Sequence, residues 1–341
     1  MKQRHLLPGC YVLLFIGLLS PTVARAADIT QQLHRPVSSS SRRQSREQAD
    51  TLLRIGKQQY ASGFADKAVT SGLSALEIYH SIGDFKAQGF TYDLLGMSYI
   101  QLNRLKEGED VMRRRLAIAR DNQDFQGQIF GLNNLSTLLL RKGEPIAAGK
   151  TLEEALTIAR HVKNIEGEGL SLSNLGLVAI RLGEYNQAIK LYETALTFRR
   201  QTRDPIGEAN TLNNLGDAYL EARDYQETIG TYGAALRIAQ TSRDRLNQLR
   251  AIDGLVFAHS HVGRYQRAFD LLEQRLTIAQ ELQSLREELK SFESYAHVYE
   301  KLSDYPTARN FYERAIVAAQ MLADRKTEAQ LTNRLGQILE R

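Results

Sequence analysis

Three asparagines are the residues whose type and spacing most invite chemistry. Asn134, Asn174 and Asn214 follow one another at intervals of 40 residues. A carboxamide carries a donor and an acceptor together, so a row of them can pair with the amides of an extended chain without reading its side chains. Helical steps of three and four, taken from each asparagine and from Leu94, Gly254 and Ser294 at the same place in other repeats, collect a stripe: Phe90, Met97 and Phe130, then Arg141 and Arg181, then Arg250 and Phe257, then Lys290, His297 and Lys301. With Arg54 and Lys57 at one end and Arg334 at the other, basic residues outnumber Asp50, Asp217 and Glu221, and the sign survives adding Asp93, Asp253 and Glu293. A basic stripe suits an acidic segment or a C-terminal carboxylate. Its apolar residues gather toward the N-terminal end and its cations toward the C-terminal end.

Other chemistry is thinly represented. His259 and His261 stand two apart, so on a helix they face different ways and chelate poorly together. His297 with Glu293 has helical i, i+4 spacing, but the pair reads as a solvated polar face. The run Arg113-Arg114-Arg115 reads as a solvated outer face as well. Cys10 is the single cysteine, which excludes a disulfide framework and a cysteine-based zinc cluster. No glycine loop cradles a phosphate, and aromatics are not interleaved with a continuous basic face as single-stranded nucleic acid requires. These residues predict a protein that is not an enzyme, carries no resident cofactor and binds no nucleic acid.

The elements that would position the stripe are set by the same 40-residue period. From Leu175-Gly176, steps of 40 reach Leu95-Gly96, Leu135-Ser136, Leu215-Gly216, Leu255-Val256 and Leu335-Gly336 without insertion or deletion. A second register holds Ala68, Gly108, Ala148, Ala188, Thr228, Ala268 and Ala308; a third holds Ala75, Arg115, Ala155, Ala195, Ala235, Arg275 and Ala315. Each unit shows two apolar blocks at helical spacing, with small residues where two helices would approach to about 8–10 Å. Asp84, Asp124, Asn164, Asp204, Asp244, Ser284 and Asp324 mark the junctions, and Pro145, Pro205 and Pro306 fall at helix boundaries. Arg115 and Arg275 replace the small residue of the third register, which predicts less regular packing in the second and sixth units.

Leu175-Gly176, Ala188, Tyr192 and Ala195, with Leu215-Gly216-x-x-Tyr219 and Leu95-Gly96-x-x-Tyr99, resemble the tetratricopeptide repeat. The resemblance implies an all-α, right-handed α-solenoid of helix pairs: seven repeats of 40 residues over 46–324 and a C-terminal capping helix over 325–341. It also implies that the first helix of each pair lines a concave groove, where asparagines before the anchor leucine hold an extended peptide. The expected function is that of a non-enzymatic scaffold for extended segments of partner proteins, an assembly or maturation factor.

Residues 1–26 read as a cleavable secretory signal. Lys2 and Arg4 precede the apolar stretch 11–19, and Ala24-Arg25-Ala26 supplies small residues for cleavage. Residues 27–45, with Arg35, Arg42 and Arg43, read as a flexible basic linker. The expected location is periplasmic or secreted, with no membrane-spanning segment in the mature chain; a membrane protein as partner is compatible with it. Losing Lys2, Arg4 and Arg25 lowers the net charge of +5 to +2, so the basic balance comes from the leader and linker. An export signal followed by such an array also resembles the periplasmic processing-associated proteins of photosynthetic bacteria. That resemblance implies, as an alternative, photosystem II biogenesis with a role in manganese supply. If the leader is retained, a membrane-anchored or cytoplasmic regulator is the remaining expectation.

Overall fold

The computed structural model describes residues 39–339. Fifteen helices and no strand occur among them: α1 Ser39–Ala61, α2 Ala65–Ile82, α3 Phe85–Gln101, α4 Leu105–Asp121, α5 Phe125–Arg141, α6 Pro145–His161, α7 Ile165–Arg181, α8 Tyr185–Gln201, α9 Pro205–Glu221, α10 Tyr225–Thr241, α11 Arg245–His261, α12 Tyr265–Glu281, α13 Leu285–Lys301, α14 Tyr305–Met321 and α15 Arg325–Leu339. The expected signal, 1–26, lies outside the described residues, as does 27–38 of the expected linker.

From α2 onward the helices start every 20 residues, half the sequence period. A single turn geometry explains this. Residues such as Asn103, Gln123, Lys163 and Gly183 adopt positive φ, and the position recurs every 20 residues from Gly63 to Ala323. Around each, the chain closes the preceding helix in the same way: Gln123 N–H bonds Arg120 O at 3.1 Å and Asp124 N–H bonds Ala119 O at 2.8 Å, a Schellman closure. The next residue then caps the following helix. Asp84, Asp124, Asn164, Asp204, Asp244 and Ser284 each accept the backbone N–H three residues on. The junction residues recognised in the sequence are therefore the N-caps of the odd-numbered helices, and Pro145 and Pro205 occupy first-turn positions that need no amide hydrogen.

The expected linker ends earlier than residue 45, because α1 already begins at Ser39. Glu47 reaches back one turn to Arg43 at 3.0 Å, and Arg46 contacts Asp84 at 3.3 Å. These contacts bring the basic residues into the helix. At the other end, α15 buries Leu331 and Ile338 against Tyr312 and leaves its remaining face mostly exposed. A terminal repeat must cover the last apolar surface in this way.

Helices pack antiparallel with their chain neighbours. In addition, successive odd-numbered helices approach one another from α1 to α11, whereas successive even-numbered helices make no comparable approach. The odd helices therefore lie on the shorter, concave side. The approach is lost or weakened from α11 to α13 and again from α13 to α15, whereas α3 and α5, which flank Arg115, approach as α1 and α3 do, so the irregularity expected of the second and sixth units does not follow the two arginines.

Candidate functional site

The concave face carries a polar seam one residue deeper than the asparagine row. Asn133 is 2% exposed and donates to Ser171 Oγ at 3.0 Å; Ser173 pairs with Thr211 at 3.3 Å; Asn213, fully buried, donates to Asn247 Oδ1 at 3.0 Å. Each bond links one repeat to the next. A buried polar pair resists sliding, because any slip leaves donors unsatisfied. Sequence reasoning missed this seam, although its residues lie next to the ones it chose: a helix turns about 100° per residue, and that single step separates the interface from the groove.

The predicted asparagines border the seam. Asn134 is half-buried and donates to Asp93 at 3.0 Å, and Asn174 is half-buried and donates to Asn133 Oδ1 at 2.8 Å. Asn214 is 4% exposed, and its carbonyl accepts from Arg250 at 2.6 Å. Arg250 also pairs with Asp217, which in turn accepts the Tyr232 hydroxyl. Asn134 and Asn174 are thus partly open to a ligand, whereas Asn214 is closed into a network. Leu94, at the equivalent position before Asn134, is buried at 7% and belongs to the core. Met97 also packs against the core rather than standing free in the groove.

Several predicted residues converge on two cavities. Phe90, Phe130 and Asn134 line one of about 710 Å³ between α3 and α5, together with Phe85, Asp93 and Arg115. Phe257, His297 and Lys301 line the other, of about 340 Å³, between α11 and α13. There Phe257 lies against His261 at 4.0 Å between ring centroids, and Lys301 Nζ stands 5.3 Å above the Phe257 ring and 3.1 Å from His261 Nδ1. Burial pulls the Lys301 ammonium below its ordinary value. His259, two residues away from His261, is 7% exposed and faces the core.

The remaining cations contribute less than their number suggests. Arg141 and Arg181 are exposed at the ends of α5 and α7, where the helix dipole favours a positive charge without any ligand. Lys290 donates to Glu287 at 2.9 Å, and Arg334 pairs with Glu300 at 2.6 Å. No three His, Asp or Glu side chains converge as a metal set among the described residues.

Arg115 of the third register lines the first cavity, and the second is lined by Asp253, the partner of Arg275. The reading of Arg115 as part of a solvated outer face is corrected: its neighbours Arg113 and Arg114 are exposed, but Arg115 is 5% exposed and Arg275 is fully buried. Each turns inward to the aspartate 22 residues earlier. Arg115 Nε meets Asp93 at 3.2 Å, and Arg275 grips Asp253 with Nε at 2.5 Å and Nη2 at 3.2 Å. Burial pushes the Asp93 carboxyl above its ordinary range, against the opposing pull of Arg115 and the Asn134 amide. A guanidinium needs far more room than the methyl group of alanine, and each arginine fills that room with its own ion-pair partners.

Glu287 completes the Arg275 cluster. Burial pushes its carboxyl up, but Lys290 and Arg275 outweigh burial and hold it below the ordinary glutamate range. A carboxyl depressed in the folded state contributes stability above its unfolded value of about 4.3, and that contribution fades as pH falls through the folded value. Glu287→Gln is therefore expected to reduce stability near neutral pH and to flatten part of the acid limb of urea midpoint against pH. An unchanged acid limb would contradict the assignment.

Residues 129–201 and 207–281 match the tetratricopeptide repeat family. No curated protein matches the chain. Among solved structures, the chain is similar to a signal transduction ATPase with a tetratricopeptide repeat sensor from Pyrococcus horikoshii (16% identity, TM-score 0.60, covering 83% of this chain and 44% of that one). It therefore spans less than half the length of that protein. It is also similar to the Rap conjugation gene regulator of plasmid pLS20 in complex with the Phr* peptide (20% identity, TM-score 0.59, covering 82% and 75%). A third is a Rap protein complexed with competence and sporulation factor (12% identity, TM-score 0.57, covering 89% and 98%). At these identities the likeness speaks to fold. The family match is confined to those two segments; taken with the helix pairs that continue unbroken on either side of them, the likeness shows that the chain has the fold of a tetratricopeptide-type solenoid of helix pairs.

Proposed function

We propose that the concave face binds an extended segment of a partner protein and that the chain acts as a non-enzymatic scaffold. The observation that carries this reading is the placement of half-buried Asn134 at a cavity that Phe90 and Phe130 line, with half-buried Asn174 one repeat further along the same face. Carboxamides in that position can meet a peptide backbone while the cavity takes side chains. The two Rap structures, one in complex with the Phr* peptide and the other with competence and sporulation factor, support the reading as similar folds.

Asn134→Ala with Asn174→Ala is expected to weaken binding of array-selected peptides about 30-fold, at about 1 kcal/mol for each hydrogen bond lost. Asn214 is left intact because Arg250 depends on it. Fluorescence anisotropy with circular dichroism as a folding control measures this. Undiminished affinity in the folded variant would remove the asparagines from the account.

The location we propose is outside the cytoplasm, on the strength of the basic, apolar and small-residue sequence of 1–26. No described helix is long and apolar enough to cross a membrane. N-terminal sequencing of the protein from its native source tests the location, and an intact Met1 would refute cleavage.

A further inference from the structure

Arg115 and Arg275 hold equivalent places four repeats apart, yet only one of them is fully served. Arg275 Nη1 donates to the Glu287 carbonyl at 2.7 Å and Ser291 Oγ at 2.8 Å, and Nη2 donates to Glu287 Oε2 at 3.1 Å, beyond its grip on Asp253. Arg115 has the equivalent aspartate, Asp93, bonded through Nε. The residues equivalent to Glu287 and Ser291 are Gly127 and Gly131. Arg115 Nη1 and Nη2 consequently find no acceptor among the described residues, although the side chain is only 6% exposed.

The missing partner would enter from the cavity. A Cβ placed on Gly127 would stand 2.7 and 2.8 Å from the two terminal nitrogens of Arg115, so the guanidinium edge lies where that side chain would begin. The adjoining cavity of about 710 Å³ is walled by Phe85, Phe90 and Phe130. A guanidinium offers a planar fork suited to two carboxylate oxygens, and a buried one with idle donors favours a ligand that occupies them. Asp93 does not oppose a second carboxylate, because Arg275 already accommodates two in Asp253 and Glu287. Lys290 supplies an added cation there; Lys86 at the cavity and Lys57 above Phe90 do so here. Asp124 caps the Gly127 N–H at 2.8 Å and makes no ion pair with Arg115.

We propose that the α3–α5 cavity receives a carboxylate on Arg115 Nη1 and Nη2, carried by a peptide that places an apolar side chain among the three phenyl rings. The proposal deepens the peptide-binding reading and rests on it for the identity of the natural ligand. The carboxylate is a glutamate or aspartate side chain or a chain terminus.

The probe is 4-phenylbutyrate, added to the full chain and followed through the Arg115 Nε–H resonance, with the neutral 4-phenylbutyramide as control. A saturable shift at least about tenfold weaker for the amide is expected. Arg115→Ala with Asp93→Asn recreates the Ala235 and Asn213 pair of the fifth repeat and should abolish binding as followed by the aromatic resonances of Phe90 and Phe130. Gly127→Glu supplies the internal carboxylate that Glu287 gives Arg275 and should block the probe. Equal affinity for the acid and the amide, or unchanged binding in either folded variant, would overturn the proposal. Peptides with an internal Glu or Gln, each as free acid and as C-terminal amide, then separate the two carboxylate sources. If peptides bind without regard to either change, the carboxylate site fails and the scaffold reading stands. If the probe titrates Arg115 while no peptide binds, the scaffold reading fails and the carboxylate site stands.

Discussion

Asp253→Asn alone is expected to destabilise the array by about 2–3 kcal/mol, and adding Arg275→Ala is expected to recover most of that loss. Arg275 is fully buried and Asp253 is its bidentate partner. Removing one member of a buried pair typically costs about 3–5 kcal/mol because the other is left uncompensated. Glu287 remains beside Arg275, and Asp253 itself is 45% exposed, so the lower figure applies. In the double variant no buried cation is left. The carboxamide introduced at position 253 would then face Glu287 as Asn213 faces Asn247 at 3.0 Å in the repeat before, and the methyl group introduced at position 275 would match that of Ala235. Urea midpoints of the two single variants and the double variant give the coupling directly. Additive losses would show that the pair is not a unit.

Gly254→Ala and Gly336→Ala are expected to move stability in opposite directions. A Cβ on Gly254 would meet the Tyr232 ring at 2.3 Å, and Gly216 presses the same ring so closely that its own Cβ would lie 2.8 Å away. Tyr232 is 2% exposed and tied by its hydroxyl to Asp217, so it cannot swing aside. Overpacking of this kind costs about 3 kcal/mol, against about 1 kcal/mol returned by the better helix propensity of alanine. A net loss of about 2 kcal/mol is expected. Gly336 is an anchor glycine on α15, with nothing within 4 Å of a Cβ; the same substitution there should be neutral or stabilise by up to about 1 kcal/mol. Chemical denaturation at constant slope measures both, and shifts of the same sign would contradict the packing argument. Gly254 also explains why the asparagine row stops at Asn214. It occupies the next position of the row, where the Tyr232 ring leaves no room for a side chain, just as Leu94 fills the position before Asn134 with core.

The helices, their order and their pairing are legible in the amino-acid pattern. Those features rest on local rules: caps such as Asp124 and Asp204, prolines confined to first turns, and small residues repeating where helices touch. It also located Phe90, Phe130 and Asn134 near one another, because residues 40 apart share a face when no repeat changes length. The tertiary structure alone decided which polar residues are open and which are closed. Asn133 and Asn134 are adjacent and chemically identical, yet one is a buried link between repeats and the other borders the groove; helix rotation separates them, and neighbouring helices set that rotation. The roles of Arg115 and Arg275 were beyond the sequence for a related reason. The same residue in the same register is satisfied in one repeat and left with idle donors in another, because what lies against it comes from the next helix: Glu287 and Ser291 in one case, Gly127 and Gly131 in the other. Burial turns that difference in neighbours into a difference in chemistry, since only a guanidinium shielded from water depends on the partner that packing provides.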